Sequence, residues 1–382
     1  MIPLAVPNLT GNEAAYLQEC IASTFVSTVG PFVGRLERLV AEAAGSSAAV
    51  AVSTGTAGLH LALRVVGVRP GDLVVMPALT FIASANAVDY CGASPWLFDV
   101  ASDSLTIDPE QVSAAFDRDV VAGTEGPIHL PTGRRVAAIL PVHTLGHPAD
   151  VDPLVAVADR YGIPVVADAA AALGARYRGR PIGRTGAAIS VFSFNGNKTV
   201  TAGGGGALVA EDEELLVRAK HLSTTARVGP HYDHDEVGFN YRMTNLQAAV
   251  GCAQLEQLDT FVATKRRIQA TYADQLSDLA DLVPLPEAAW AESARWFAGF
   301  RLDGWSTDRV GALRAGLRDG GIDARPFWKP MHLQRPYADA PTEPLPVTER
   351  VWPRVVTLPC STGITDHDLA VVVAAVRMRV AE

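Results

Sequence analysis

Between residues 45 and 209 the chain alternates short apolar, β-rich runs with segments of helical period, and this alternation constrains the fold more than any other feature. Strands that alternate with helices form a sheet with helices on both faces, so the pattern predicts a large α/β domain. Several runs are apolar throughout, which is typical of strands buried on both faces of a parallel sheet. The predicted strands are residues 48–52, 73–76, 96–100, 136–142, 164–167, 189–194 and 207–209.

The pattern changes after Asp212. Helices are predicted over residues 213–220 and 244–279, and the second is long enough to bridge two domains. Residues 297–302, 307–317 and 366–380 then predict a smaller α+β C-terminal domain. We place the domain boundary near residue 260. The large domain then covers residues 1–260 and the small domain residues 261–382, and the N-terminal segment can pack on the small domain. The Pro-rich residues 326–346 predict a loop that runs over the surface.

Composition and net charge exclude several classes of function. The 382 residues are 48% hydrophobic, enough for a large core, and 41 acidic against 32 basic residues give a net charge of −9. Without a basic cluster to offset that charge, nucleic acid is not an expected partner. The N-terminus lacks the pattern of a secretory signal and no apolar run is long enough for a bilayer, so a cytoplasmic location without membrane contact is expected. The four cysteines form no C-x-x-C pair, so neither a zinc site nor a disulfide framework is predicted, and no metal is expected.

The first motif with chemical content is residues 53–59, Ser-Thr-Gly-Thr-Ala-Gly-Leu. It follows a predicted strand and opens a predicted helix, so its small residues let backbone N–H groups approach an anion at a helix N-terminus. This arrangement can hold a phosphate. Small residues also make ordinary tight turns between a strand and a helix. The motif alone therefore does not decide between a phosphate site and an ordinary turn.

The second motif is Asp168, which ends the apolar run of residues 163–167. A carboxylate there is costly unless it is paired. It can form a salt bridge with a cationic ring nitrogen and keep that nitrogen protonated, or it can cap the N-terminus of a following helix. The residues alone do not decide between the two roles.

The third motif is residues 193–199, Ser-Phe-Asn-Gly-Asn-Lys-Thr, followed by four glycines at 203–206. Lys198 lies just past a buried strand among small and polar residues, where loss of solvent favours a neutral amine that can form a Schiff base with an aldehyde. The alternative interpretation of this motif is a nucleotide-binding P-loop. We reject it because Asn197 stands where that motif needs glycine and the glycines follow the lysine.

In this order the motifs resemble the DegT/DnrJ/EryC1/StrS family, fold-type-I aminotransferases that use pyridoxal 5′-phosphate (PLP) and are best known for nucleotide sugars. The resemblance covers nearly the whole chain. It implies a large α/β domain with a mostly parallel seven-stranded sheet, a smaller α+β C-terminal domain, and a homodimer that shares its active sites. The segments that carry it are residues 27–33, 55–57, 77–81, 141–143, 168–170, 193–198, 238–243 and 325–332.

The resemblance implies a role for each matched residue. Lys198 would form the Schiff base with PLP and then move the proton between the substrate carbon and the cofactor, and Asp168 would pair with the pyridinium nitrogen. Phe81 would stack on the cofactor ring, although an ordinary core position is its alternative. Asn240 would reach the cofactor phosphate of the partner subunit, or simply occupy a turn. The phosphate would be held by Gly55, Thr56, Ala57 and Ser193.

The implied reaction moves an amino group from L-glutamate or L-glutamine, through PLP and its amine form, to the keto group of a nucleotide-linked 4-keto-6-deoxysugar. Residues 195–198 and 325–332 look most like the branch that uses UDP-linked N-acetylhexosamines. Two alternatives stay open, a non-sugar ketone such as a cyclitol and a PLP-binding relative without turnover. Candidate substrate contacts are His143, Trp328, Lys329 and His332, although a lone histidine is more often structural.

One position departs from the family pattern. Three residues after Asp168 the family usually carries Gln or Glu, whereas this chain has Ala171, which cannot form a side-chain hydrogen bond. We hypothesise that Ala171 leaves cofactor binding intact but alters the electronics of the ring or makes room for a different acceptor.

Overall fold

Seven main strands form the large sheet, and all seven were predicted from the apolar runs. Two short antiparallel strands, Val120–Val121 and Ile128–His129, extend it beside the strand Arg134–Ile139. The computed structural model describes residues 1–381. In chain order, strands β1 to β7 are Ala49–Val52, Leu73–Pro77, Ser94–Phe98, Arg134–Ile139, Val166–Asp168, Ile189–Ser193 and Gly206–Val209.

The order across this sheet is β1-β7-β6-β5-β4-β2-β3. Ladders join the first four strands and the last three, and single bridges from Ile139 to Val165 and from Val142 to Asp168 join β4 to β5. Among the seven main strands only β7 is antiparallel to its neighbours, so the sheet is mostly parallel, as expected. The carboxyl ends of the parallel strands therefore lie along one edge, where α/β sheets commonly bind ligands.

Helices cover both faces of this sheet. Side chains alternate across a strand, so Ala49 and Ala51 of β1 pack in one buried cluster while Val50 and Val52 pack in another on the opposite face. This is why the strand reads as a continuous apolar run. In chain order, helices α1 to α12 are Glu13–Ser23, Pro31–Ala44, Gly55–Val65, Ile82–Tyr90, Pro109–Asp119, Val151–Tyr161, Glu213–Ser223, Asn245–Leu255, Leu258–Gln275, Thr307–Asp319, Pro346–Val351 and Asp366–Val380.

The prediction of one long helix over residues 244–279 was wrong. The segment forms two helices, α8 and α9, because Gln257 leaves the helical conformation with φ −110° and ψ 4°. The turn buries both Leu255 and Leu258, and Glu256 forms a 2.6 Å ion pair with Arg35. Neither glycine nor proline marks this break, so no local pattern predicts it.

A second, antiparallel sheet follows. In chain order its strands β8 to β11 are Val283–Pro284, Ala298–Arg301, Arg325–Pro326 and Val355–Leu358, arranged as β8-β9-β11-β10. Helices α9, α10 and α12 contribute to its buried cluster, which also contains Leu4 of the N-terminal segment. Helix α9 crosses residue 260, and the division there stays a prediction. Two-residue strands also form at Val120–Val121, Ile128–His129, Arg176–Tyr177, Arg180–Pro181, Arg227–Val228, Asp233–His234 and Ala291–Glu292.

The Pro-rich segment runs over the surface, as its composition predicts, but it is anchored at several points. It forms two short 3₁₀ turns, Met331–Leu333 and Arg335–Tyr337, and buries the side chains of Met331 and Tyr337. The Met331 N–H donates to the Ala78 carbonyl oxygen at 2.8 Å, and the Tyr337 hydroxyl donates to Asn86 Oδ1 at 2.5 Å. The segment is therefore fixed against the large sheet.

All four cysteines are free thiols with buried side chains. Burial raises the pKa of Cys91 and of Cys252 to about 12. Over residues 1–381, none of the helices has the length and apolar character needed to cross a bilayer.

Candidate active site

A cavity of about 560 Å³ lies at the carboxyl edge of the large sheet. Its other wall comes from the second sheet and the segments before it, through residues such as Trp296, Phe327 and Thr357. The predicted site residues that line it are Gly55, Thr56, Phe81, His143, Asp168, Ser193, Lys198 and Trp328. Ala171 lines it as well.

Asp168 ends β5 and is only 6% exposed. Its Oδ2 accepts from the Ser84 hydroxyl at 2.6 Å, and its Oδ1 accepts from the Ala170 N–H at 3.0 Å. Burial raises the pKa of Asp168, which these two hydrogen bonds and the charge of Lys198 partly oppose. Residues 169–175 form no helix, so the helix-cap alternative does not apply. The carboxylate is poised to pair with a cation in the cavity.

Lys198 follows β6 in a turn in which its N–H donates to the Asn195 carbonyl oxygen at 3.0 Å. Its Nζ lies 3.7 Å from the ring centroid of Trp296. Burial lowers the pKa of Lys198 to about 8, and the negative charge of Asp168 opposes that shift. About a tenth of this amine is therefore uncharged and nucleophilic at pH 7, far more than of a solvent-exposed lysine.

This pKa has a measurable consequence. Only the free amine reacts with acetic anhydride, so trace labelling of the cofactor-free protein should show Lys198 reactivity rising with pH through a midpoint near 8. Quantitative peptide mass spectrometry measures it, with the surface residue Lys220 as the internal reference. The Asp168→Asn variant should shift the midpoint lower, because it removes the charge that favours the ammonium form. A midpoint above 10 would contradict the burial argument.

The start of helix α3 offers an anion cradle. Gly55 is its first residue, and the first N–H groups of a helix have no partner within it. A Cβ on Gly55 would lie 2.8 Å from Ser193 Cβ, and one on Gly206 would lie 2.8 Å from the Gly55 nitrogen. Glycine at both positions lets β6, β7 and the helix start meet closely, with the Thr56 and Ser193 side chains beside them.

Ala57 lies next to this cradle, in the first turn of α3. Its N–H donates to Thr54 Oγ1 at 3.0 Å, because Thr54 caps the helix. Ala57 does not line the cavity wall. Its contact with a phosphate stays a prediction.

Aromatic side chains close the opposite side. Phe81 precedes α4, is 53% exposed and lies 5.8 Å from Trp328 between ring centroids, so it is not a core residue. Trp328 lies 5.9 Å from Trp296, and Trp296 stacks on Phe297 at 3.9 Å. A flat ring in the cavity would meet this aromatic wall on one side.

The two candidate histidines lie in different surroundings, and only one of them lines the cavity. His143 is buried and lines the cavity, and its Nδ1 accepts from the Ala149 N–H at 2.9 Å, which puts the ring proton on Nε2. Burial lowers the pKa of His143 to about 3, so the ring is neutral. Its buried Nε2 has no hydrogen-bond partner within residues 1–381. His332 is instead near Glu349, at 3.7 Å, and is absent from the cavity wall.

Two other predicted residues also lie outside the cavity wall. Lys329 and Asn240 are exposed and do not line it. For Asn240 this position is compatible with a role toward another subunit, which stays a prediction.

Sequence reasoning missed four residues of the site. Ser84 and Thr80 are fully buried, and their hydroxyl oxygens lie 3.1 Å apart behind Asp168. Trp296 contacts Lys198, and Arg325 lines the cavity while its guanidinium pairs with Asp323 at 2.7 Å. Thr80 and Arg325 lie in the segments 77–81 and 325–332 that carry the resemblance, but neither was given a role, and nothing local tied Ser84 or Trp296 to the site.

Comparison with known proteins identifies the family. The DegT/DnrJ/EryC1/StrS aminotransferase family matches residues 7–377. GDP-perosamine synthase of Caulobacter vibrioides is 38% identical over 381 residues, which cover 98% of this chain and 97% of that protein.

Solved structures agree. DesV from S. venezuelae is 32% identical, with a TM-score of 0.87 over 100% of this chain and 99% of that one. A 3-amino-5-hydroxybenzoic acid synthase is 28% identical, with a TM-score of 0.87 over 99% of each chain. The chain therefore belongs to the DegT/DnrJ/EryC1/StrS family and is a PLP-dependent aminotransferase.

Proposed function

We propose that this enzyme transfers the amino group of L-glutamate or L-glutamine to the keto group of a nucleotide-linked 4-keto-6-deoxysugar. The observation that carries the amino transfer is that Lys198, with its lowered pKa, and the buried Asp168 face one cavity. The sugar acceptor is supported by the GDP-perosamine synthase relative.

The residues present fit PLP. Asp168 would pair with its ring nitrogen, Lys198 would meet its aldehyde, and the start of α3 with Thr56 and Ser193 would hold its phosphate. The close packing at Gly55 and Gly206 is the supporting observation, because any Cβ there would clash with Ser193 or the Gly55 backbone and push the helix start away from β6 and β7. When bound, PLP supplies an electron sink for the charge that develops when a proton leaves the carbon bearing the amine.

The protein's own groups supply the rest. The Lys198 amine, whose pKa is lowered to about 8 in the cofactor-free protein, can both take and return a proton near neutral pH. Neutral His143 presents a buried Nε2–H that can only donate. Asp168 places a carboxylate where a cation can sit, and the aromatic wall around Trp328 lines one side of the cavity.

The two half-reactions test this proposal separately. The purified enzyme with PLP should lose its visible absorption band on addition of L-glutamate or L-glutamine, and a ketosugar should restore it. GDP-, UDP- and dTDP-linked 4-keto-6-deoxysugars form the acceptor series. A band that no donor changes would contradict amino transfer.

A second candidate acceptor is a non-sugar ketone, which the likeness to 3-amino-5-hydroxybenzoic acid synthase favours. The acceptor series separates the two. If a donor bleaches the band and no nucleotide ketosugar restores it, the sugar proposal fails while the aminotransferase assignment stands.

We also infer a homodimer with shared active sites. Residues 21–29 carry four apolar side chains that are 44–63% exposed, an unusual concentration for a free surface. The four are Ile21, Phe25, Val26 and Val29. If Asn240 serves the partner's site, mixing inactive Lys198→Ala and Asn240→Ala subunits should restore activity, because each hybrid holds one intact site. Mixed subunits that exchange but stay inactive would contradict sharing.

The departure at Ala171 gives a further prediction. Its methyl group lines the cavity, so Ala171→Gln adds bulk and a hydrogen-bonding amide beside the site. We expect kcat/KM for at least one acceptor to change by about 10-fold or more, since one altered pocket contact is worth about 1–3 kcal/mol. Steady-state kinetics over the acceptor series measures this. An unchanged cofactor spectrum together with an unchanged acceptor profile would contradict the hypothesis.

A further inference from the structure

Trp296 links the second sheet to the catalytic lysine. Its ring centroid lies 3.7 Å from Lys198 Nζ. Its Nε1–H donates to the carbonyl oxygen of Asn197, the residue before Lys198, at 2.6 Å. One indole therefore touches both the reactive atom and the peptide that carries it.

The main chain of Trp296 is fixed on both sides. Its N–H donates to the Leu145 carbonyl oxygen at 3.0 Å. Its own carbonyl oxygen accepts from Lys265 Nζ, also at 3.0 Å, and that buried lysine donates to the Cys360 carbonyl oxygen at 2.6 Å. With Phe297 stacked on the ring and only 3% of the residue exposed, the indole has little freedom to turn.

We propose that Trp296 is a positioning residue for Lys198, whose ring face stabilises the ammonium form and whose N–H holds the preceding peptide so that the amine stays aimed at the cavity. A cation over the face of an indole is attracted by the ring quadrupole, most strongly where water is excluded. Burial acts in the opposite direction, because it penalises the charged amine. Trp296 would thus limit how far the pKa of the lysine falls.

The other charged and titratable groups in the cavity wall come from other elements. They are Asp168 at the end of β5, the neutral His143 after β4, and Arg325 on β10, which is paired with Asp323. Substitution of Trp296 leaves all of them in place, so a change in Lys198 titration can be attributed to the indole.

The test uses cofactor-free protein and acetic anhydride as the probe, with Trp296→Phe and Trp296→Leu compared. Phenylalanine and leucine are similar in size, but only phenylalanine offers an aromatic face. We expect the Lys198 midpoint in the leucine variant to lie about half a unit to one unit below that of the phenylalanine variant. Water admitted by a smaller side chain would raise the midpoint in both variants, so a difference of this sign is specific to the ring.

Trp305 provides the matched control. It is also buried, with the Arg309 guanidinium carbon 3.5 Å from its ring centroid and its Nε1–H donated to Asp281 Oδ2 at 2.9 Å. Trp305→Leu should leave the Lys198 midpoint unchanged. Equal midpoints in the two Trp296 variants, or the higher one in leucine, would overturn the proposal.

If the leucine variant does not fold, Trp296→Met takes its place as the non-aromatic side chain of similar size. Its midpoint should also lie below that of the phenylalanine variant, and an equal or higher value would overturn the proposal. The proposal rests on the role proposed for Lys198, but labelling needs neither PLP nor substrate. Failure of the acceptor assignment therefore leaves this result intact.

Discussion

Replacement of Lys198 by alanine should reduce amino transfer by at least about 10⁴-fold, because one substitution removes both the nucleophile and the base. The fold should survive, since the Lys198 amine makes one aromatic contact and no salt bridge within residues 1–381. The donor half-reaction, followed by absorbance at saturating L-glutamate, measures the loss. Thermal denaturation checks the fold, and added methylamine should restore part of the rate by standing in for the missing amine.

Lys220→Ala is the control for this substitution. Lys220 lies on the surface, where its Nζ pairs with Glu37 at 2.7 Å, so its loss should leave both half-reactions within about twofold of the wild type. A folded Lys198→Ala enzyme that still turns over with glutamate, without added amine, would remove Lys198 from the proposed mechanism.

Asp168→Asn should have the second largest effect. Asparagine keeps the shape of the side chain but carries no charge, and loss of one partner from a buried ion pair costs about 3–5 kcal/mol. That corresponds to about 10²- to 10⁴-fold in rate if the pair is strongest in the transition state. The rate of the glutamate half-reaction at saturating PLP measures the effect, and equilibrium binding of PLP shows how much is lost before reaction.

Ser84→Ala serves as the comparison. It removes the 2.6 Å hydrogen bond to Asp168 but leaves the charge, so it should cost less than Asp168→Asn. If the asparagine variant reacts at the wild-type rate, Asp168 does not provide charge to the cofactor ring.

The sequence revealed the parts of the fold whose signals are local. The large sheet was predictable because apolar strands buried on both faces read as continuous runs. Asp168 was recognisable because it directly follows such a run, and Lys198 because it comes shortly after one among small and polar residues. Both positions depend on a few neighbouring residues.

What sequence reasoning missed depends on contacts between distant parts of the chain. Ser84 meets Asp168 across 84 residues, and Trp296 meets Asn197 across 99, so no spacing rule predicts either pair. The break at Gln257 is set by the tertiary burial of Leu255 and Leu258, which overrides a good local helix pattern. The Pro-rich segment is held by hydrogen bonds to the large sheet that its composition cannot reveal.

The burial of all four thiols makes the natural chain a clean background for site-directed probes. A maleimide reacts with a thiolate, and the raised pKa of Cys91 and Cys252 leaves almost none at neutral pH. A single cysteine introduced at the exposed Leu333 would then carry a fluorophore or spin label selectively. The label would report in real time whether the segment that bears Trp328 keeps its anchored position during turnover, without first removing any native cysteine.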